Sequence, residues 1–93
     1  MDDCVKISGT IECDPDDLSL VMDLLPEHIT LSRSEVGCID FSIIQSPDNP
    51  CIFHVTEKFL DPTAFEAHTA RTRSSVWWSA TRHIPRKLDI SGT

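Results

Sequence analysis

The segment from Glu57 to His68 constrains the fold most, because a strand pattern changes into a helix pattern within it. Asp61 is a favoured residue at a helix N-cap, and Pro62 is favoured at the first helical position. Phe65 and His68 then lie three residues apart, on one face of the predicted helix. If the strand and the helix form two layers of one core, Glu57 and His68 approach each other from opposite sides of a cleft.

Three segments alternate apolar and polar residues with a period of two, which is the pattern of half-buried strands: residues 5–13, 39–43 and 52–59. In the second segment, the apolar side is formed by Ile39, Phe41 and Ile43. The turn-forming residues 46–50 separate the last two segments, which indicates an antiparallel hairpin. Residues 86–91 can supply a fourth strand.

Two helices are predicted between these strands. The first begins after Asp14 and follows an apolar stripe to about Ser34. The second begins at Pro62, and its pattern weakens around residues 72–75, so we expect a break into a shorter helix that carries the two tryptophans. The resulting β-α-β-β-α-β order predicts an α+β, ferredoxin-like fold with a four-stranded antiparallel sheet.

The size and charge of the chain limit its functions. Its 93 residues predict a single domain, residues 1–93. The net charge of −7 disfavours nucleic acid as a partner, because phosphate binding needs a basic surface. No apolar run long enough to span a membrane and no signal-peptide pattern occur, so we expect a cytoplasmic protein that does not bind membranes. The cysteines and histidines lack the spacing of a metal or redox motif. We expect the cysteines to be reduced structural thiols, and the alternative is a disulfide scaffold.

Glu57 stands out on its predicted strand because Phe53, Val55 and Phe59 share its face. An acid on an apolar row has a raised pKa, so Glu57 is a candidate catalytic residue that orients or protonates His68. His68 is the candidate base, because imidazole titrates near neutral pH and can deprotonate an acidic phenol or enol. The alternatives are a structural Glu57 that caps a helix or pairs with an arginine, and a buried His68 that satisfies one hydrogen bond.

Five further residues are candidates for substrate binding: Phe53, Val55, Phe65, Trp77 and Arg33. One tryptophan can stack on an aromatic ligand, and we expect the other in the core or at a dimer interface. For Arg33, a structural contact with Glu35 or Glu57 is the favoured alternative. Basic residues crowd toward the end of the sequence, where a solvated helix face is favoured over the binding of an anionic ligand.

Several short segments, in this order and spacing, resemble the antibiotic biosynthesis monooxygenase family of small dimeric α/β-barrel proteins: Ile7-Ser-Gly-Thr-Ile11, Ser32-Arg-Ser-Glu-Val-Gly-Cys38, Phe53-His-Val-Thr-Glu-Lys-Phe59, Ala64-Phe-Glu-Ala-His68, Trp77 and Ile90-Ser-Gly92. The resemblance covers nearly the whole chain and implies a homodimer in which two sheets pack face to face as a barrel. It also favours Trp77 over Trp78 as the tryptophan that binds a ligand. The strand pattern also predicts association. Ile44 lies on the sheet face opposite Phe41 and Ile43, and an uncovered apolar face predicts a partner.

The resemblance further implies a cofactor-independent monooxygenase that acts on a small aromatic, quinol or polyketide-like molecule, with no metal ion or other cofactor. A deprotonated, electron-rich substrate can pass an electron to dioxygen without a metal or a flavin. The alternatives are a non-enzymatic small-ligand-binding or dimerisation domain of the same fold, and the processing of small phosphorylated signalling compounds. Haem degradation is less favoured, because the segment Lys6-Ile-Ser-Gly-Thr10 lacks the asparagine that haem-degrading relatives place beside the haem.

Overall fold

The computed structural model describes residues 3–92, so Met1, Asp2 and Thr93 of the predicted domain lie outside the described residues. The chain forms, in order, β1 (Val5–Glu12), α1 (Leu18–Arg33), β2 (Cys38–Gln45), β3 (Ile52–Phe59), α2 (Pro62–Arg73), α3 (Val76–Thr81) and β4 (Arg86–Gly92). This order confirms the predicted ferredoxin-like fold, and the second predicted helix is broken into α2 and α3 as expected. None of the helices within residues 3–92 is long and apolar enough to cross a membrane.

The four strands form one antiparallel sheet in the order β2-β3-β1-β4, so β1 and β3 lie at its centre. On the face that packs against the helices, Ile7 of β1 and Phe41 of β2 both lie opposite Glu57 of β3. Both apolar residues are buried. Glu57 therefore lies in an apolar row at the middle of the sheet, as the alternating pattern predicted.

The opposite face of the sheet is more polar than the pattern suggested. Ile44 is 62% exposed on this face, but it lies opposite His54, and the next pair on the same face is Ser42 with Thr56. Polar side chains therefore interrupt the apolar surface that was expected there. The homodimer stays a prediction.

β2 contains a register shift between Cys38 and Asp40 that leaves Ile39 without a partner on β3. Ile39 is 51% exposed, so its predicted place on the core face is wrong. The physical reason is a β-bulge, which adds one residue to one strand and changes the side to which the preceding side chain points. Phe41 and Ile43, which follow the bulge, are buried as predicted.

A close contact fixes the loop between α1 and β2 against the start of α2. A Cβ atom on Gly37 would lie 2.2 Å from the Cβ of Ala64, so a side chain at this position would displace α2. The Leu60 N–H donates a hydrogen bond to the Gly37 carbonyl at 2.8 Å. Asp61 caps α2 as predicted, because its Oδ1 accepts a hydrogen bond from the Ala64 N–H at 2.8 Å. This packing brings Glu35, in the same loop, next to α2.

Candidate functional site

A cavity of about 190 Å³ lies between the sheet and the three helices, and every strand and helix contributes to its wall. Its apolar part is formed by Ile11, Ile43, Val55, Phe65 and Leu88. Glu57 and His68 reach the same space from β3 and α2. An apolar cavity with a few convergent polar groups is typical of a site for a small ligand.

His68 is held in the cavity wall by the carboxylate of Glu35. Its Nδ1 lies 3.0 Å from Oε1 and 3.1 Å from Oε2 of Glu35. Because an ionised carboxylate only accepts hydrogen bonds, this contact places the proton of the neutral imidazole on Nδ1. The Nε2 atom is then the basic nitrogen; it lies 3.4 Å from the Thr72 hydroxyl and 3.7 Å from Oε1 of Glu57.

Arg71 completes this arrangement by pairing with the same carboxylate. Its Nε donates a hydrogen bond to Oε2 of Glu35, and its Nη2 donates one to the Ser32 hydroxyl at 2.9 Å. Ser32 is fully buried near the end of α1. Rotation of Glu35 away from His68 would break its charge-assisted hydrogen bond with Arg71, which is stronger than a neutral one. The network therefore fixes the imidazole ring from two helices and a loop.

The two candidate catalytic groups have pKa values that burial moves in opposite senses. Burial raises the pKa of Glu57 to about 7, and the negative charge of Glu35 adds to the effect. Burial lowers the pKa of His68, although the Glu35 carboxylate acts in the opposite direction. The 3.7 Å between Glu57 Oε1 and His68 Nε2 is too long for a direct hydrogen bond. One ligand oxygen can lie about 2.8 Å from both atoms, so the pair can exchange a proton with a bound hydroxyl group.

A second buried imidazole, His28 of α1, lies beside this pair. Its ring stacks on Trp77, with 4.9 Å between the centroids and 9° between the planes. The Phe41 ring packs against it in a T-shaped arrangement, and the centroid of the His68 ring lies 6.2 Å from its own. Burial lowers the pKa of His28 to about 3, and nearby positive charges add to the effect, so this imidazole is neutral at pH 7.

Both tryptophans line the cavity, although the sequence assigned only one of them to it. The reason is Arg86 at the start of β4, whose guanidinium lies 5.9 Å from the Trp77 ring and 5.3 Å from the Trp78 ring. Its Nη1 donates hydrogen bonds to the carbonyls of Thr81 and Ile84, each at 2.9 Å. A guanidinium at this distance attracts an aromatic face. Trp78 is therefore drawn to the cavity wall instead of the core.

Two of the predicted binding residues do not line the cavity. Phe53 is 1% exposed and belongs to the apolar core. Arg33 donates a hydrogen bond from Nε to the Phe41 carbonyl at 2.9 Å, and the expected contact with a glutamate is replaced by this backbone contact. The other three predicted residues do line the cavity: Val55, Phe65 and Trp77. Their role in binding stays a prediction.

The sequence interpretation missed the partners of His68 and the second imidazole. His28 lies on the buried stripe of α1 with Val21, Leu25 and Ser32, and this helical spacing is visible in the sequence. Glu35 gave no local signal, because its contact with His68 depends on how the loop packs against α2.

His54 is exposed on the other face of the sheet, as expected. Within residues 3–92, no cluster of three or more His, Cys, Asp or Glu side chains is arranged for a metal ion.

Comparison with known proteins relates this architecture to one family. The sequence model of the antibiotic biosynthesis monooxygenase family matches residues 5–77. A solved structure from Nitrosomonas europaea, described as a candidate antibiotic biosynthesis monooxygenase, is 20% identical with a TM-score of 0.81, over 100% of this chain and 92% of that one. Structures of the same description come from Deinococcus radiodurans (21% identity, TM-score 0.81, 96% and 91% of the two chains) and Bacteroides thetaiotaomicron (21%, 0.82, 98% and 88%). No curated protein matches the chain.

Proposed function

Because the chain belongs to the antibiotic biosynthesis monooxygenase family, we propose that it is a cofactor-independent monooxygenase of a small aromatic or quinol-like molecule. One observation carries the proposal: His68 Nε2 and Glu57 Oε1 lie 3.7 Å apart in the wall of a mainly apolar cavity. Candidate acids and bases with shifted pKa values in such a cavity are typical of a catalytic site.

His68 is the proposed base. Its Nδ1–H is directed to the Glu35 carboxylate, so Nε2 can accept the proton of a substrate hydroxyl group. The positive charge that then forms on the imidazole is stabilised by Glu35, in the way that an orienting carboxylate supports a catalytic histidine. Glu57, with its pKa of about 7, is partly protonated near neutral pH and can return a proton to reduced oxygen.

The substrate itself supplies the electrons in this proposal. A deprotonated quinol passes electrons directly to dioxygen; one oxygen atom enters a ring carbon and the other leaves as water. Oxidation of the quinol to a hydroxyquinone provides four electrons and the two hydrogens of that water. The reaction therefore balances without an external reductant, and the aromatic rings of Phe65, Trp77 and Trp78 offer flat surfaces for the planar substrate.

The proposed assembly is a homodimer that buries the sheet face away from the helices. The family resemblance supports it, and Ile44 supplies exposed apolar surface on that face. The catalytic residues of each chain lie on the helix side of the sheet, so the proposed dimer leaves the cavity wall intact.

The activity is tested by oxygen consumption with a panel of hydroquinones and dihydroxynaphthalenes, in the presence of a metal chelator and without added flavin. We expect consumption above the rate without protein, and one atom from ¹⁸O-labelled dioxygen in the product. His68→Gln should lose this activity, and His54→Gln, on the other face, should retain it. Oxygen consumption equal to autoxidation across the panel, with measurable binding of the same compounds, would contradict the enzyme and favour the ligand-binding alternative.

A further inference from the structure

Two cysteines face each other at one end of the sheet. Cys13 follows β1, and Cys51 precedes β3. Glu12 and Ile52 form the last pair of the ladder between these strands. The Cys13 N–H donates a hydrogen bond to the Cys51 carbonyl at 2.9 Å, so the pairing continues by one residue. Opposed residues on antiparallel strands have Cα atoms about 4.5–5.5 Å apart, and this separation suits a disulfide.

The side chains of two directly opposed residues point to the same face of the sheet, so the two thiols are neighbours. Both carry free thiols, and burial and then the neighbouring Cys51 raise the pKa of Cys13. Cys38 begins β2 and pairs with Phe59 at the far end of β3, and its thiol contacts the Asp40 carbonyl at 3.7 Å. Cys38 is therefore a natural control for the chemistry of the facing pair.

A second cavity includes one of the two cysteines, Cys13, in its wall. It has a volume of about 380 Å³, and Asp17 and His83 also contribute to the wall. Cys13 itself is 5% exposed, whereas Cys51 is half-buried. Because Cys51 is the more exposed of the two, it is the sulfur that a molecule of the size of hydrogen peroxide meets more easily.

We propose that Cys13 and Cys51 are an oxidation site that closes to an intramolecular disulfide when the protein meets hydrogen peroxide. The Cys51 sulfur attacks the peroxide, the O–O bond breaks, and a sulfenic acid and one water form. The Cys13 sulfur then attacks the Cys51 sulfur; the S–S bond forms, the S–O bond breaks, and a second water leaves. Overall, two thiols lose two electrons and two protons, and one peroxide becomes two waters.

The disulfide would link the end of β1 to the start of β3. It closes a loop that contains α1 and the residue Glu35. A cross-link that closes a loop of this length restricts the unfolded chain more than the folded one. The oxidised protein is therefore expected to melt at least about 5 °C higher than the reduced protein.

The test is to expose the full chain to hydrogen peroxide and to measure intact mass, disulfide-linked peptides and Tm. We expect the loss of two hydrogen masses, a peptide that joins Cys13 to Cys51, and a rise in Tm that dithiothreitol reverses. Cys38→Ser should behave in the same way, and Cys51→Ser should show neither the linkage nor the rise. In Cys13→Ala, the Cys51 sulfenic acid should persist and react with dimedone.

Three results would overturn the proposal. The first is an unchanged mass after a treatment that oxidises free cysteine in the same tube. The second is overoxidation of Cys51 while Cys13 stays a thiol. The third is a disulfide between two chains, seen as a doubled mass on a non-reducing gel. Circular dichroism of each variant establishes that it is folded before treatment, and Cys38→Ser checks that loss of a thiol does not itself cause the change.

Discussion

His28 lies flat against Trp77 in the cavity wall, and Nδ1 of the same imidazole has no hydrogen-bond partner among the residues that the structure describes. A buried polar atom without a partner costs roughly 1–3 kcal/mol. A phenylalanine ring would give the same stacking without that cost. Stability alone therefore does not explain a histidine at this position.

The first prediction concerns the acid stability of the protein. The pKa of His28 is about 3 in the folded protein and near its ordinary value of 6.5 in the unfolded chain. As the pH falls below 6.5, the unfolded chain binds a proton that the folded protein does not, so stability is lost, by about 2 kcal/mol at pH 5. His28→Phe should lose less stability over this range in urea unfolding. The control His54→Gln should lose as much stability as the wild type. If His28→Phe also loses as much stability as the wild type, the inference that His28 is neutral and buried is contradicted.

The second prediction concerns Glu57, whose titration lowers the stability of the protein as the pH rises. The pKa of Glu57 is raised from 4.5 to about 7 in the folded protein. The stability that its neutral carboxyl group provides is complete below pH 4.5 and is lost as the pH rises through 7, by about 3 kcal/mol in total. Glu57→Gln keeps the neutral shape and should therefore show a flatter stability profile between about pH 5 and pH 8. Glu66→Gln, on the exposed side of α2, should follow the wild-type profile. An unchanged slope in Glu57→Gln would show that Glu57 titrates normally.

The third prediction tests the proposed base. His68→Gln should lower turnover about a hundredfold or more, because a general base contributes this much. The protein should remain folded, since glutamine can still donate a hydrogen bond to Glu35. The measurement is steady-state oxygen consumption per folded protein, with His54→Gln as the control. If His68→Gln unfolds the protein and leaves activity per folded molecule unchanged, His68 has a structural role only.

The fourth prediction concerns Glu35 as a positioning residue. Glu35→Gln should lower turnover at least about tenfold. The substitution removes the carboxylate that orients the imidazole and stabilises the positive charge formed on it during the reaction. The same carboxylate raises the pKa values of His68 and Glu57, so both limbs of the pH–rate profile should move to lower pH. A purely structural role would lower the rate without moving the limbs. Glu66→Gln provides the comparison.

The fifth prediction concerns the proposed homodimer. Obligate interfaces of this kind bury about 2,000 Å² or more, so the protein should sediment as a dimer at micromolar concentration. Ile44→Glu places a charge on the sheet face away from the helices and should dissociate the dimer. Val76→Glu changes an exposed residue on α3 and should leave the dimer intact. A wild-type monomer in analytical ultracentrifugation would contradict the barrel.

The sequence predicted the fold because its strands and helices carry complete local patterns. The cap at Asp61, the start of α2 at Pro62 and the helix break before Val76 all depend on neighbouring residues, and all are found in the structure. Ile39 was misplaced because a bulge leaves no mark on an alternating pattern. Local sequence patterns therefore predict the strands and helices, but they do not predict a bulge within a strand.

The candidate site was only partly predictable, for a related reason. Glu57 and His68 each interrupt an apolar pattern of their own element, so each could be found alone. The Glu35–His68 contact joins residues 33 positions apart and depends on the close approach of Gly37 to Ala64. The place of Trp78 depends on Arg86 of another element. Such contacts become visible only when the chain is folded.

The bulge at Ile39 also gives the chain a place where its length can change during evolution. A relative that lacks one residue between Glu35 and Asp40 can lose the bulge and still direct Phe41 and Ile43 into the core, because the pairing beyond Asp40 is regular. An alignment of such relatives would need a gap in this segment. The counterpart of Glu35 in such a relative is therefore best identified by its place in the loop that packs against α2, and not by its column in an alignment.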